Sequence, residues 1–204
     1  MKKPWWILPI VLMTSAPARA DEKIEICYNY GCGSTASIAY TEAQLERVGQ
    51  WMLHAQDAAS ERRILRGVMG KLYTWAGLQS PVKADRGGND ADDSVEGRMD
   101  CVDHTISTTR LLKMLQAHGW LRYHEVSDPA ERKRVLGVLQ HFSATIEARP
   151  GRVQDWQLST GLTRDADNAL RGPRFVVDSW FHDNGEPAEI MPLDEWLNGG
   201  GPDV

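Results

Sequence analysis

The chain has 204 residues, with 23 Lys or Arg against 28 Asp or Glu, a formal net charge of -5 and 42% hydrophobic residues. That is enough apolar material for one packed core, and the modest negative charge without a basic stripe gives no support to a nucleic-acid footprint, so no nucleic-acid partner is expected. Beyond the N-terminus no apolar run approaches the roughly 20 residues of a membrane-spanning helix.

Residues 1–20 read as a secretory signal. Lys2-Lys3 form a basic start, Trp5 to Thr14 an apolar stretch, and Ala18-Arg19-Ala20 a small-x-small cleavage site. The expected product is exported, periplasmic and unattached to a membrane once the signal is cut. Ile24-Glu25-Ile26 before Cys27 do not make a lipid-attachment setting. The expected organisation is a signal over 1–20 and one α+β domain over 21–204. Within it, a disulfide loop and helices occupy 21–78, and a core carrying the chemistry occupies 97–197.

Ile24, Ile26 and Tyr28 alternate as in a strand. Thr41-x-x-Gln44 is a capping box, opening a helix with Leu45, Val48, Trp51, Met52 and Ala55 on one face. A second helix is expected from about Ser60 to Ala76, with Gly77 as its C-cap. Residues 78–97 form a long acidic loop. Asp85, Asn89, Asp93 and Glu96 loosely echo a calcium-binding loop, although Asp90 stands where such a loop needs glycine. Asp100 is the expected N-cap of a third helix that runs past Leu111, Leu112 and Leu115 to His118 and stops at Gly119. Strands are expected over Trp120–Val126, Leu139–Ala148, Val153–Leu158 and Arg174–Phe181, with a turn at Asp128-Pro129. Asp183-Asn184-Gly185 signals a hairpin turn into a last strand through Ile190, and Trp196 is expected to pack the C-terminus down.

The three cysteines are an odd number for an exported protein. Cys27 and Cys32 flank a turn-like segment and are expected to pair in an oxidising compartment. Cys101 is then the remaining thiol, at a helix N-terminus where backbone N–H groups favour the thiolate. A helix with Cys101, a strand with His141 and a strand with Asp178 follow in that order. A nucleophilic cysteine needs a base, and the base needs an orienting acceptor. Cys101 as nucleophile, His141 as base and Asp178 as orienter would fill those roles, with the Cys101 N–H as an oxyanion donor.

Asp100-Cys101-x-Asp103-His104 at a helix start, His141 opening a strand and Val177-Asp178-Ser179-Trp180 on a later strand resemble the transglutaminase-like branch of the papain-like cysteine protease superfamily. The similarity is to the bacterial transglutaminase-like cysteine proteinases and covers roughly residues 97–181. The resemblance implies a helical N-terminal part and a nucleophile-bearing helix packed on an antiparallel sheet. It also implies a Cys101–His141–Asp178 triad acting on a protein or peptide amide through a thioester, as hydrolase or acyltransferase. No cofactor is required, although the group's acidic cluster carries calcium over to Asp100 and Asp103. Val102 departs from the pattern, because the group has an acid there.

Other readings stand beside this one. Asp100 and Asp103 are like charges that oppose a thiolate, and Cys101 read alone is a small buried core thiol. A catalytically silent extracytoplasmic binding module of the same fold is the second function. A calcium or zinc protein using the acidic loop and the Cys101–His104 helix face is the third.

Overall fold

A computed structural model of the chain describes residues 21–89, 91–134, 139–150, 163–164 and 170–202. The signal segment and the strand expected over 153–158 lie outside the described residues.

The architecture is mixed α+β, with N-terminal helices packed against an antiparallel sheet. β1 (Glu22–Tyr28) and β2 (Ser34–Tyr40) make a hairpin in which Ile24 faces Ile38 and Cys27 faces Thr35. α1 (Glu42–Leu53) starts at the Thr41–Gln44 box, where the Gln44 N–H donates to Thr41 Oγ1 and the Thr41 N–H to Gln44 Oε1. α2 (Ala58–Gly77) starts earlier than its apolar face implies, because Asp57 and Ser60 form a second box. Within its first turn α2 buries Glu61, which an amphipathic reading leaves in solvent. A 3-10 turn (Pro81–Ala84) leads into the acidic loop, and α3 (Cys101–Ala117) follows.

The main sheet runs in the order β3-β4-β7-β8, all antiparallel: β3 (His124–Arg134), β4 (Leu139–Ala148), β7 (Arg174–Asp178) and β8 (Glu189–Pro192). A separate two-residue ladder joins β5 (Thr163–Arg164) to β6 (Leu170–Arg171). A short helix, α4 (Leu193–Leu197), closes the order. β3 does not stop at Asp128-Pro129. It continues to Arg134, and the register shifts between Ser127 and Ala130. Proline cannot donate to a ladder, so it sits at a bulge on this edge strand rather than in a turn.

Alternation along β4 and β7 divides the core. Ala144, Ile146, Ala148, Phe175 and Val177 face the helices and join Ile26, Tyr40, Met52, Leu72 and Leu111 in the larger cluster. Val176 faces the other way, into a smaller cluster with Ala130, Trp180, Phe181 and Trp196. The sheet is therefore covered on both faces. The Trp196 indole, 0% exposed, seats the C-terminal helix as expected.

α3 breaks the simple amphipathic rule. Its last turns bury Leu111, Leu112, Met114 and Leu115, whereas its first turns bury Asp103, His104, Thr105, Ser107 and Thr108. Buried polar groups require partners, and those partners make the site described below.

One buried pair ties the helices to the sheet edge. His124 Nδ1 lies 2.8 Å from Glu61 Oε1, and Arg62 Nη1 lies 3.1 Å from His124 Nε2. Arginine only donates, so Nε2 accepts and the proton sits on Nδ1, pointed at Glu61. A second proton would face the guanidinium in a dry site. Burial first, and then Arg62 and Arg149, hold His124 below its usual 6.5 against the raising effect of Glu61. The unfolded chain binds the extra proton first, so this stabilisation is complete above about pH 6.5 and is lost as pH falls toward the folded value. Asp103, raised in the fold, acts in the opposite sense, so urea unfolding between pH 7 and 5 should show wild-type stability falling more, or rising less, with acidification than that of His124→Asn. Equal slopes would remove His124 as the cause.

Candidate functional site at the head of helix α3

The N-terminus of α3 is held by a turn from the other end of the chain. Between β1 and β2, Asn29, Tyr30, Gly31 and Cys32 all have φ near +60°. Three of the four are not glycine, and each such residue costs roughly 1–2 kcal/mol in this region. The conformation aims successive N–H groups at α3. Gly31 N–H donates to Asp100 Oδ2 at 2.9 Å, and Cys32 N–H donates to Asp103 Oδ1 at 2.6 Å. Asn29 N–H donates to Arg98 O at 2.7 Å, and Asn29 Oδ1 accepts from Gly97 N–H at 2.9 Å. Gly97 itself has φ +89°, and a Cβ there would lie 2.0 Å from Pro81 O. Tyr30 Oη donates to Asp92 Oδ1 at 2.7 Å, while Arg98 pairs with the other Asp92 oxygen at 2.7 Å.

Asp100 and Asp103 also cap the helix reciprocally. Asp103 N–H donates to Asp100 Oδ1 at 2.8 Å, and Asp100 N–H donates to Asp103 Oδ2 at 3.2 Å. Burial, and then the adjacent Asp100 charge, push Asp103 up to about 6, against N–H groups of Cys32, Asp100 and Tyr30 that favour its anion. The Cys27–Cys32 disulfide closes the turn, as expected. One ligand atom each from Cys27, Cys32 and Asp103 lies within 4.8 Å of the others, a group that could hold a metal ion.

Behind this head, α3 is wired into the core. Cys27 N–H donates to Ser107 Oγ at 2.9 Å. Thr108 Oγ1 lies 2.9 Å from Tyr73 Oη and 3.0 Å from Ser179 Oγ. His104 Nδ1 lies 2.8 Å from Ser179 Oγ, its Nε2 lies 3.0 Å from Asp85 Oδ2, and Asp85 Oδ1 accepts from Met99 N–H at 2.9 Å. Burial pushes the Tyr73 phenol up to about 12, so it stays neutral. Asp85 is 1% exposed. It faces His104, so the calcium-loop echo that begins at Asp85 is not realised. Both His104 nitrogens are taken, which also removes it as a zinc ligand beside Cys101. The sequence offers Asp85 only as part of a calcium-loop echo and Ser179 only within the Val177–Trp180 motif, and nothing in it marks Thr108. Their partners lie up to 75 positions away.

The residues expected to form a triad are placed as follows. His141 Nε2 lies 2.8 Å from Asp178 Oδ2, and that oxygen also accepts from Trp196 Nε1 at 2.9 Å. Asp178 Oδ1 accepts from Trp180 N–H at 3.2 Å. The His141 ring is enclosed by Trp180, Trp196 and Phe181 at 4.7, 5.4 and 5.6 Å between centroids. Cys101 is not disulfide-bonded; it is half-buried and packed against the cluster that holds Trp180, Phe181 and Trp196, with its thiol 4.0 Å from Gln140 O.

The expected cysteine-dependent hydrolase or acyltransferase, and with it the protease assignment, is corrected by this chemistry. The sulfur and carboxylate donors that converge at the head of α3 are Cys27, Cys32 and Asp103. Two of them are joined in a disulfide, which carries no nucleophilic thiol, and the group has the composition of a metal-ligand set. Cys101 does not find an electropositive helix terminus, because two carboxylates occupy that end of α3. The expected calcium ligands separate in the same way: Asp103 belongs to the converging group, Asp100 is engaged as cap and clamp, and nothing in the donor set selects calcium.

Searches of family models, of curated proteins and of solved structures return no match. Among the described residues no helix is long and apolar enough to cross a membrane.

Replacing Asp100 by Ala removes both a helix cap and an anchor of the strained turn. Urea unfolding of Asp100→Ala should show a loss of about 1–2 kcal/mol, the upper range for a cap. An unchanged midpoint would mean that the turn holds its conformation without the clamp.

Proposed function

We propose that the protein is an exported, catalytically silent binding module that takes a metal ion at the head of α3. The convergence of Cys27, Cys32 and Asp103 within 4.8 Å carries this reading. A pair of sulfurs with one carboxylate suits an ion that accepts both sulfur and oxygen, with zinc the commonest such case. The redox state decides the strength of the site. Disulfide sulfurs lack the charge of thiolates and donate weakly, which leaves Asp103 as the main donor. Reduced, the pair supplies two anionic sulfurs beside an anionic oxygen.

The framework around this site is proposed as a transglutaminase-like core used for binding. Support comes from the order of helix, strand and strand and from the buried His141–Asp178 contact at 2.8 Å. In this reading His141, Asp178 and Trp196 form a structural node that fixes the C-terminal helix, and no bond-breaking step is assigned to them. Export is proposed from the Lys2-to-Ala20 pattern.

Metal titration of the reduced protein against a chromophoric chelator should show one equivalent of zinc. The oxidised protein should bind far more weakly, and Asp103→Asn should weaken the reduced form by at least about tenfold, in the range that ligand-shell changes produce. Absence of a bound equivalent of zinc, calcium or manganese in either redox state would overturn the proposal.

A further inference from the structure

The two sulfurs of the Cys27–Cys32 disulfide have different surroundings. Cys27 is fully buried at the end of β1. Its sulfur lies 3.5 Å from Arg110 Nη1, a nitrogen that also donates to Glu25 O at 3.0 Å and is thereby fixed beside the sulfur. Cys32 is partly exposed, between the exposed residues Gly31 and Gly33. In thiol–disulfide exchange the attacking thiolate takes the sulfur it can reach and expels the other, and the expelled sulfur leaves faster when its charge is stabilised. Accessibility and charge therefore agree on one direction: attack at Cys32 and departure of Cys27.

We propose that this disulfide is an exchange-competent gate whose opening releases the donor pair for the metal. A thiolate of a dithiol reductant forms a bond to Cys32 Sγ as the Cys27–Cys32 bond breaks, and Cys27 leaves as a thiolate held by Arg110. The second thiol of the reductant then attacks the mixed disulfide and expels Cys32. The reductant leaves as its own disulfide, having supplied two electrons. Its two protons go to the two protein thiolates, or to solvent when a metal takes their place. Asp100 and Asp103 stand beside Cys32 and repel anionic attackers, so the site favours neutral or cationic thiols. The metal-binding consequence rests on the reading given under Proposed function, whereas the exchange step does not.

The test uses the full chain with Cys101→Ser, so that no other thiol competes. Cysteamine should give a trapped adduct on Cys32, located by peptide mapping after acid quench, and should react faster than mercaptoacetate at equal thiolate concentration. Arg110→Met should slow native-state reduction by dithiothreitol roughly 3- to 10-fold through the leaving sulfur. Arg110→Lys should restore most of the rate, which separates charge from folding. An adduct on Cys27, an unchanged rate in Arg110→Met, or reduction only after unfolding would each overturn the gate. Zinc titration of the fully reduced protein is a separate readout: failure to bind sinks the metal reading, whatever the exchange experiment gives.

Discussion

The clamp between the left-handed turn at 29–32 and the two aspartates that open α3 is the constraint on which the rest depends. A run of positive φ through non-glycine residues is unfavourable in isolation. Here it is offset by N–H groups donated to carboxylates, bonds stronger than neutral ones, and by a disulfide that limits the conformations of the unfolded loop. The same carboxylates cap the helix. One pair of side chains thus fixes the hairpin, the start of α3 and the position of the sulfur pair relative to Asp103.

A second layer of polar contacts carries that order inward. Ser107, Thr108, His104, Ser179 and Asp85 link the hairpin, α3, the acidic loop and the end of β7, and the next residue, Asp178, accepts from both His141 and Trp196. In a low-dielectric interior such a chain is costly when incomplete and specific when complete. This explains why the first turns of α3 are polar and buried at once. It also explains why His141 and Asp178 meet without calling for hydrolytic chemistry: they satisfy each other at the point where the C-terminal helix docks.

Features governed by local rules were legible in the sequence. The Thr41–Gln44 box, the limits of β4, the Asp100 cap and the seating of Trp196 follow from capping chemistry, alternation and size. The features that escaped depend on distant partners. Asp85 reads as a solvated acid until His104 closes on it. Glu61 reads as a surface residue of α2 until His124, far along the chain, receives it. The left-handed turn was legible only as a turn, because nothing nearby announces that Asp100 and Asp103 will accept its N–H groups. The reading of Cys101 as the functional sulfur rests on thiol count, on its place at a helix start and on the two strands that follow. The fold added what counting lacks, namely that the paired sulfurs share their corner with a carboxylate.

The bulge in β3 has a consequence for the protein in company with other copies of itself. Among the described residues β3 is an edge of the main sheet, and an open edge invites a strand from another chain. Pro129 offers no N–H there, the shift between Ser127 and Ala130 spoils the register that an incoming strand would need, and Glu131 and Lys133 are exposed charges along the same edge. A feature that looks like an interruption of the fold therefore also blunts this edge against pairing with a strand from another chain.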